Sequence, residues 1–365
     1  MCLLINKNTE DLCLVVTEKC NLNCSYCQSN KFFSGSMTFA CAKSYIDAYL
    51  RVTESPAPSI TFMGGEPFVA FKTIKDIVEY VKLNYPQTKL FYTIVTNGTL
   101  VHGSIQQWIK ENEESVQVIL SLDGIQEYHD VNRCNSFRLI DLDFFKGLKK
   151  NIVNTVFSLA TVNNMAENVI ALHQQGFQVK GFIADGEQWN ISSLETIAKQ
   201  LFQLTEYYLD NPNVYPLSLL SMPIHHLVTD QPLQRCGNEN YVSVSISADG
   251  KEYACHRCTP FENHGSWQIP EQYIGLVNAQ HLLQECASCP LERICNACPA
   301  SNASLINNKE LALVVCKMRK LLFKANAYFY IKMLMSKNEY VALKHLSIEK
   351  KNYLTKAAKI IIELI

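Results

Sequence analysis

The sequence predicts an α/β chain: six short strands alternating with helices over its first 209 residues, then a small cysteine-rich domain and a helical tail. Three observations carry this. Apolar runs of five to nine residues recur between longer stretches with helical spacing. Strict polar–apolar alternation begins only at Tyr241 and runs into Asp249-Gly250, a hairpin signature. Fifteen cysteines fall largely into two ordered sets.

The predicted strands are 12–17, 59–63, 90–96, 116–121, 154–162 and 178–183, with helices over 40–51, 73–84, 101–112, 141–150 and 166–174. In the first helix Ala42, Tyr45, Ile46, Tyr49 and Leu50 form one apolar stripe. Such alternation calls for parallel strands joined by right-handed crossovers. A seventh helix, 192–209, stops before Asn211-Pro212, and residues 210–235 carry four prolines and read as a bridge. Residues 236–316 form the cysteine-rich domain, with a return strand from Lys251 to Ala254. Residues 317–365 are helical and hold eleven Lys or Arg against three Glu. In the last helix Leu354, Ala357, Ala358, Ile361, Ile362 and Ile365 share a face, which packs on its own protein or docks an acidic peptide.

At 365 residues and 48% hydrophobic, the chain can bury a large core. A net charge of −1 argues against a nucleic-acid partner. No apolar run approaches the roughly 18 residues of a membrane span. The first residues, interrupted by Lys7, Glu10 and Asp11, are not a signal peptide. Fifteen cysteines without export point to metal or catalysis in a reducing, cytoplasmic setting rather than to disulfides.

The chemistry begins at Thr17-Glu-Lys-Cys-Asn-Leu-Asn-Cys-Ser-Tyr-Cys27. Cys20, Cys24 and Cys27, spaced CxxxCxxC at the carboxyl end of the first strand, suit three irons of a [4Fe-4S] cubane and leave the fourth iron open. A zinc knot is the alternative, but neighbouring residues offer no fourth ligand at zinc spacing. Three further segments follow predicted strands: Gly64-Gly65-Glu66-Pro67, Thr96-Asn97-Gly98, and Ser121-Leu-Asp-Gly124 with His129 and Arg133 just beyond. Together, in this order, they resemble the radical S-adenosylmethionine (SAM) enzymes.

The resemblance implies a partial (β/α)6 TIM-like barrel in which Cys20, Cys24 and Cys27 hold a SAM-binding [4Fe-4S] cluster. It also implies that Glu66 and the Gly64-Gly65 backbone orient the SAM amino group. Ser121 and Arg133 would hold its carboxylate or ribose, with Asn97 and Asp123 as second contacts. Each of these residues is equally at home as a cap or turn residue.

The second cysteine set reads Cys236, Gly250, Cys255, then Cys286-xx-Cys289-x5-Cys295-xx-Cys298, then Cys316. This resembles the SPASM extension, which carries two auxiliary [4Fe-4S] clusters, for three in all. By that resemblance Cys286, Cys289, Cys295 and Cys316 hold one, and Cys236, Cys255 and Cys298 the other. Paired zinc ribbons are the alternative. The step from Cys295 to Cys298 is one residue shorter than the family's usual spacing. The first auxiliary set lacks an evident fourth ligand, which Cys258 or, less suitably, His256 would supply, unless an iron stays open to substrate. Cys2, Cys13, Cys41 and Cys134 have no partner at ligand spacing and read as core.

Enzymes with this extension mostly modify peptides, so the resemblance implies a precursor-peptide maturase forming a C–C or thioether crosslink. Its partners would include an electron donor such as flavodoxin or ferredoxin. Nineteen residues before Cys20 leave no room for a front-end recognition domain, so any leader would be read by a separate leader-recognition protein, the barrel mouth or the basic C-terminal helices. Anaerobic sulfatase maturation is the alternative. Those enzymes carry an acid where this chain has His256, an imidazole that can still act as base. Epimerisation is another, with Cys258 as hydrogen donor. A small-molecule dehydrogenase or an iron–sulfur electron carrier would be the remaining readings.

Overall fold

The computed structural model describes residues 4–29, 34–230, 242–260, 283–295, 298–305 and 307–365. Cys2, Cys236 and the start of the predicted strand at Tyr241 lie outside them. Two compact units are present. One comprises Met1–Ser121, Arg133–Ile152 and Cys236–Asn278; the other comprises Leu122–Asn132, Val153–Arg235 and Ala279–Ile365.

The first unit is built on β1 (Asp11–Thr17), α1 (Phe39–Val52), β2 (Ser59–Gly64), α2 (Phe71–Asn84), β3 (Phe91–Thr96), α3 (Ser104–Glu111) and β4 (Val116–Ser121). Its strands β1 to β4 pair in parallel as the βαβ pattern requires. The register is fixed by alternation. Leu12, Leu14, Ile60, Phe62, Tyr92 and Ile94 form a buried face, while half-buried Thr61, Thr93 and Gln117 occupy the other. Helix α1 is capped by the Thr38 hydroxyl, which accepts from the Cys41 N–H at 3.2 Å. Its Tyr49 hydroxyl donates to the Glu10 carbonyl at 2.5 Å and accepts from the Ser59 N–H at 3.1 Å, tying the starts of β1 and β2 together.

The hairpin expected near residue 250 is present as β7 (Ser243–Ile246) and β8 (Glu252–Tyr253), closed by Gly250 at φ 83°. Its attachment was not legible in the sequence. Strand β7 pairs in parallel with β1, Asp11 opposite Ser243 and Leu14 opposite Ile246. Within this unit the strand order is therefore β4-β3-β2-β1-β7-β8.

The second unit holds α4 (Gln126–Asn132), β5 (Ile152–Phe157), α6 (Met165–Gln174), β6 (Gln178–Ile183), α7 (Ile191–Asp210), α8 (Pro299–Leu305), α9 (Lys309–Met335) and α10 (Ile348–Leu364); α5 (Leu142–Lys146) belongs to the first. The strand expected over 154–162 ends at Phe157. Thr161 turns the chain there, its hydroxyl accepting from the Ser158 N–H at 3.1 Å while its own N–H donates to the Ser158 carbonyl. Helix α4 has no counterpart among the predicted elements. The tail also differs: α9 starts before Cys316, which lies inside it. Leu354, Ala357, Ala358 and Ile361 of α10 are buried, and α10 packs on α9, whereas Ile362 is 42% exposed. Packing on its own protein is thus the observed use of that face. Among the described residues no helix is long and apolar enough to cross a membrane.

Candidate active site

Cys20, Cys24 and Cys27 follow β1 directly, each half-buried and in no disulfide. The Cys27 N–H donates to the Cys24 carbonyl at 3.1 Å, and the Leu22 N–H reaches the Cys20 sulfur at 3.4 Å. Neighbouring segments hold this loop. The Gly65 and Glu66 N–H groups donate to the Thr17 and Lys19 carbonyls at 3.0 and 2.9 Å. A Cβ on Gly65 would stand 2.4 Å from the Lys19 carbonyl oxygen and 2.8 Å from Cys20 Cβ, so glycine is required for this approach. The Asn21 amide donates to Thr99 Oγ1 at 2.7 Å and accepts from Asn97 Nδ2 at 2.9 Å.

The far side is held from Arg133 and Cys134. The Arg133 guanidinium lies 5.4 Å from the centroid of Tyr26, the aromatic between the second and third thiols. The Cys134 thiol donates to the Asn23 carbonyl at 3.0 Å. Cys134 is exposed and has φ 57°, which corrects its assignment to the core; Cys41 is half-buried, and of the three that are described Cys13 alone is buried as expected. Thr96, Asn21 and Tyr26 lie inside the quoted motifs but were given no role there, and Thr99, next to Gly98, is a contributor the motif reading missed.

Glu66 is 1% exposed, and its carboxylate serves the protein. Oε1 accepts from the Thr96 hydroxyl at 2.7 Å and the Phe68 N–H at 3.1 Å, while Oε2 accepts from the Asn97 N–H at 2.7 Å. Burial pushes its pKa up; the three hydrogen bonds and Arg133 pull the other way. The Asn97 side-chain oxygen accepts from the Thr99 N–H and hydroxyl at 3.0 and 2.7 Å. Glu66 and Asn97 thus form one buried brace linking two strand ends to the thiol loop. Ser121 is half-buried at the end of β4.

In the second unit Asp123 is 2% exposed. Its carboxylate accepts from the Val156 N–H at 2.9 Å and from Asn132 Nδ2 at 3.2 Å, fastening α4 to β5. Gly124, at φ 107°, lies where a Cβ would meet Asn168 Oδ1 at 2.1 Å; that oxygen accepts from the Ile125 N–H.

At the amino end of β1 stands a second polar centre of the first unit. Asp11 accepts from the hydroxyls of Ser59, Thr61 and, at 3.4 Å, Ser243. Burial pushes its pKa up, against these bonds and the positive charge of His256. His256 lies in a turn with Cys255 and Cys258, where the Cys258 N–H donates to the Cys255 carbonyl at 2.9 Å and His256 Nδ1 is 3.8 Å from the Cys255 sulfur. Cys258 is 5% exposed. The register explains the location: β8 runs back along β7, carrying this turn to the end of β1 opposite Cys20. Midway, Ser245, Cys13, Thr61, Thr93 and Gln117 lie level across five strands. The Ser245 hydroxyl is buried without a hydrogen-bond partner among the described residues.

The remaining thiols belong to the second unit. Turns link Cys286, Cys289 and Cys295: the Cys289 N–H donates to the Cys286 carbonyl, the Glu292 N–H to Cys289, and the Cys295 N–H to Glu292. Burial is the main reason the Cys316 thiol is pushed up; Cys286 and Cys289 add to it and Lys320 opposes. Cys286 and Cys289 thus contribute to the setting of Cys316, with which they were expected to share one cluster. Cys298 directly precedes α8. Among the described residues no three His, Cys, Asp or Glu side chains converge on a point as the ligands of a single ion do. Thiolates are the ordinary donors to the irons of a cubane, each taking a different iron, and in donor chemistry both cysteine sets suit that group.

The chain belongs to the radical SAM superfamily, whose family description matches residues 14–201, just over half of it. It is therefore a radical SAM enzyme, of a superfamily that uses SAM and a [4Fe-4S] cluster. It is 29% identical over 223 residues to the radical SAM cyclopropyl synthase TigE of Paramaledivibacter caminithermalis, covering 54% of this chain and 46% of TigE. An uncharacterised protein of Methanocaldococcus jannaschii is 37% identical over 153 residues, 41% of this chain and 52% of the other. A cysteine-type anaerobic sulfatase-maturating enzyme of Clostridium perfringens is 32% identical over 125 residues, 31% of this chain and 32% of that one. The chain thus spans about half or less of the curated relatives it matches.

Among solved structures, native anSMEcpe with bound AdoMet superposes with a TM-score of 0.69 at 20% identity, covering 89% of this chain and 100% of that one. Streptococcus suis SuiB bound to precursor peptide SuiA gives 0.58 at 16% identity, covering 83% and 74%. These likenesses carry the fold.

Proposed function

We propose that this radical SAM enzyme modifies a ribosomally made precursor peptide, removing a hydrogen from one residue and forming a C–C or thioether crosslink oxidatively. The observation that carries this reading is the second thiol set, in which successive turns join Cys286, Cys289 and Cys295 and Cys316 lies on α9 of the same unit. Removing two hydrogens leaves an electron to dispose of after hydrogen abstraction, and further clusters are its natural sink. When bound, SAM on its cluster supplies the hydrogen-abstracting 5′-deoxyadenosyl radical, and auxiliary clusters supply the electron sink. Cys20, Cys24 and Cys27 would hold the first cluster; Cys286, Cys289, Cys295 and Cys316 a second; Cys236, Cys255, Cys258 and Cys298 a third.

Gly64, Gly65, Ser121 and Arg133 would receive SAM, and Glu66, Asn97 and Asp123 act through the backbone that they brace. His256 would accept the substrate proton. The likeness of fold to SuiB, solved with precursor peptide SuiA, supports a peptide reading. The substrate would come with a flavodoxin- or ferredoxin-type reductant and a separate leader-binding protein.

The test is anaerobic incubation of the reconstituted enzyme with SAM, reductant and synthetic peptides for the short reading frames beside its gene, followed by mass spectrometry. Loss of two hydrogens from one peptide, with a bond located by fragmentation, is the expected result. A new aldehyde would select sulfatase-type maturation, solvent deuterium at an α-carbon would select epimerisation, and failure to form deoxyadenosine would refute radical chemistry.

A further inference from the structure

Strand β6 pairs with β5 along one edge, and its other edge asks for a partner. The Gly181 N–H donates to Ser218 Oγ at 2.9 Å, and that hydroxyl donates back to the Gly181 carbonyl at 3.0 Å, so one side chain caps this edge-facing peptide group. The Ala184 N–H points the other way, to the Phe157 carbonyl at 2.9 Å. Alternation then turns the Ile183 N–H and carbonyl to the same edge as Gly181. Among the described residues no hydrogen bond covers them.

A cavity of about 210 Å³ opens beside this peptide group, lined by Ile183, Trp189, Leu305, Leu311, Met318 and Leu322. Asp185, Glu187 and Arg319 also line it, a mixed-charge setting with no preference for a strongly charged ligand. Phe182, 48% exposed, flanks the edge. The walls also belong to the thiol region: α8 follows Cys298, and Val315 and Met318 flank Cys316 on α9.

We infer that this edge and cavity form a subsite for an extended peptide, an inference that rests on the peptide reading above. The peptide adds as a strand at Ile183, exchanging hydrogen bonds with its N–H and carbonyl, and places one large apolar side chain in the cavity. A free backbone donor and acceptor two residues beyond a capped position selects another backbone, and the adjacent apolar hollow selects a side chain. The occupant is the substrate peptide in extended form.

Two variants separate the parts. Ile183→Pro removes the edge-facing N–H and keeps the β5 side intact, since proline is tolerated on strand edges. Leu305→Trp fills the cavity. Each is compared with wild-type holoenzyme for iron content, peptide-independent deoxyadenosine formation and KM for whichever synthetic reading-frame peptide is modified. Each peptide also carries a diazirine for cross-linking.

The expected result is a rise in KM of about tenfold or more in both variants, with iron and uncoupled deoxyadenosine unchanged and wild-type cross-links mapping to 182–189 or 305–322. Modification with unchanged KM in both variants overturns this inference and leaves the peptide reading standing. Cross-linking at the site without modification supports the subsite and sinks the crosslinking reading. Neither cross-linking at the site nor modification overturns both.

Discussion

Replacing Glu66 by glutamine tests the brace behind the SAM loop. The carboxylate takes three donors: the Thr96 hydroxyl and Phe68 N–H at Oε1, and the Asn97 N–H at Oε2. An amide offers one acceptor edge. With its oxygen at the first position its NH2 faces the Asn97 N–H; reversed, it faces the Phe68 N–H. The Thr96 hydroxyl can rotate but already accepts from the Gly98 N–H at 3.0 Å. Either way a buried backbone N–H loses its partner, at about 1–3 kcal/mol. Relief of the burial cost that pushes the Glu66 pKa up offsets part of this. We expect a net local loss of about 1–2 kcal/mol, or about five- to thirtyfold in opening.

A chain of two units is not a safe two-state system, so global melting is the wrong reading. Amide exchange followed by mass spectrometry is local: segments covering 66–69 and 96–99 should exchange about five- to thirtyfold faster in the variant. The pH dependence has a definite sign. A raised carboxylate pKa means that the folded chain holds a proton that the unfolded chain has lost, so stability falls as pH rises from glutamate's ordinary 4.5 to the raised value. Glutamine removes that slope. Unchanged exchange at both segments, or an unchanged pH slope, would refute the brace.

Three further outcomes follow from the geometry. Gly65→Ala forces the Lys19–Cys20 segment away from a 2.4 Å clash, so reconstituted chain should lose about a third of its iron and its ability to form deoxyadenosine. Cys289→Ala or Cys316→Ala should also lower iron by about a third but leave peptide-independent deoxyadenosine formation intact. Gly124→Ala meets Asn168 Oδ1 at 2.1 Å from a left-handed backbone and should cost about 2–4 kcal/mol, read by exchange over 122–132.

Strand β1 was legible because its apolar run is continuous, as a strand buried on both faces requires: Leu12, Leu14 and Val16 are fully buried, and Cys13 and Val15 nearly so. The thiol loop and the GGE and TNG segments were legible because their residue types are unusual in combination. What they touch was not. Glu66 finds Thr96 and Asn97 thirty residues away, a pairing that only the β2–β3 register creates. Helix α4 hides because Gln126–Asn132 shows no apolar stripe; its buried side chains are His129 and Asn132. Cys134 escaped because composition says nothing of a left-handed turn that leaves a thiol exposed.

The register of β7 against β1 bears on the size of the substrate. Cys20 follows the carboxyl end of β1, and the His256 turn stands by Asp11 at its amino end. Seven strand residues separate these centres by about 20 Å. The radical source proposed for the first end and the base proposed for the second would not meet on a single small side chain. Between them lies a level row of hydrogen-bonding side chains, Ser245, Thr61, Thr93 and Gln117, with the Ser245 hydroxyl buried and lacking a partner among the described residues. A buried hydroxyl left without a bond costs about 1–3 kcal/mol, which a ligand donor or acceptor recovers on binding. A long substrate running between the two ends crosses this row and can bond the Ser245 hydroxyl. A compact metabolite engages one end only, and on that ground the polypeptide reading is preferred to the small-molecule dehydrogenase.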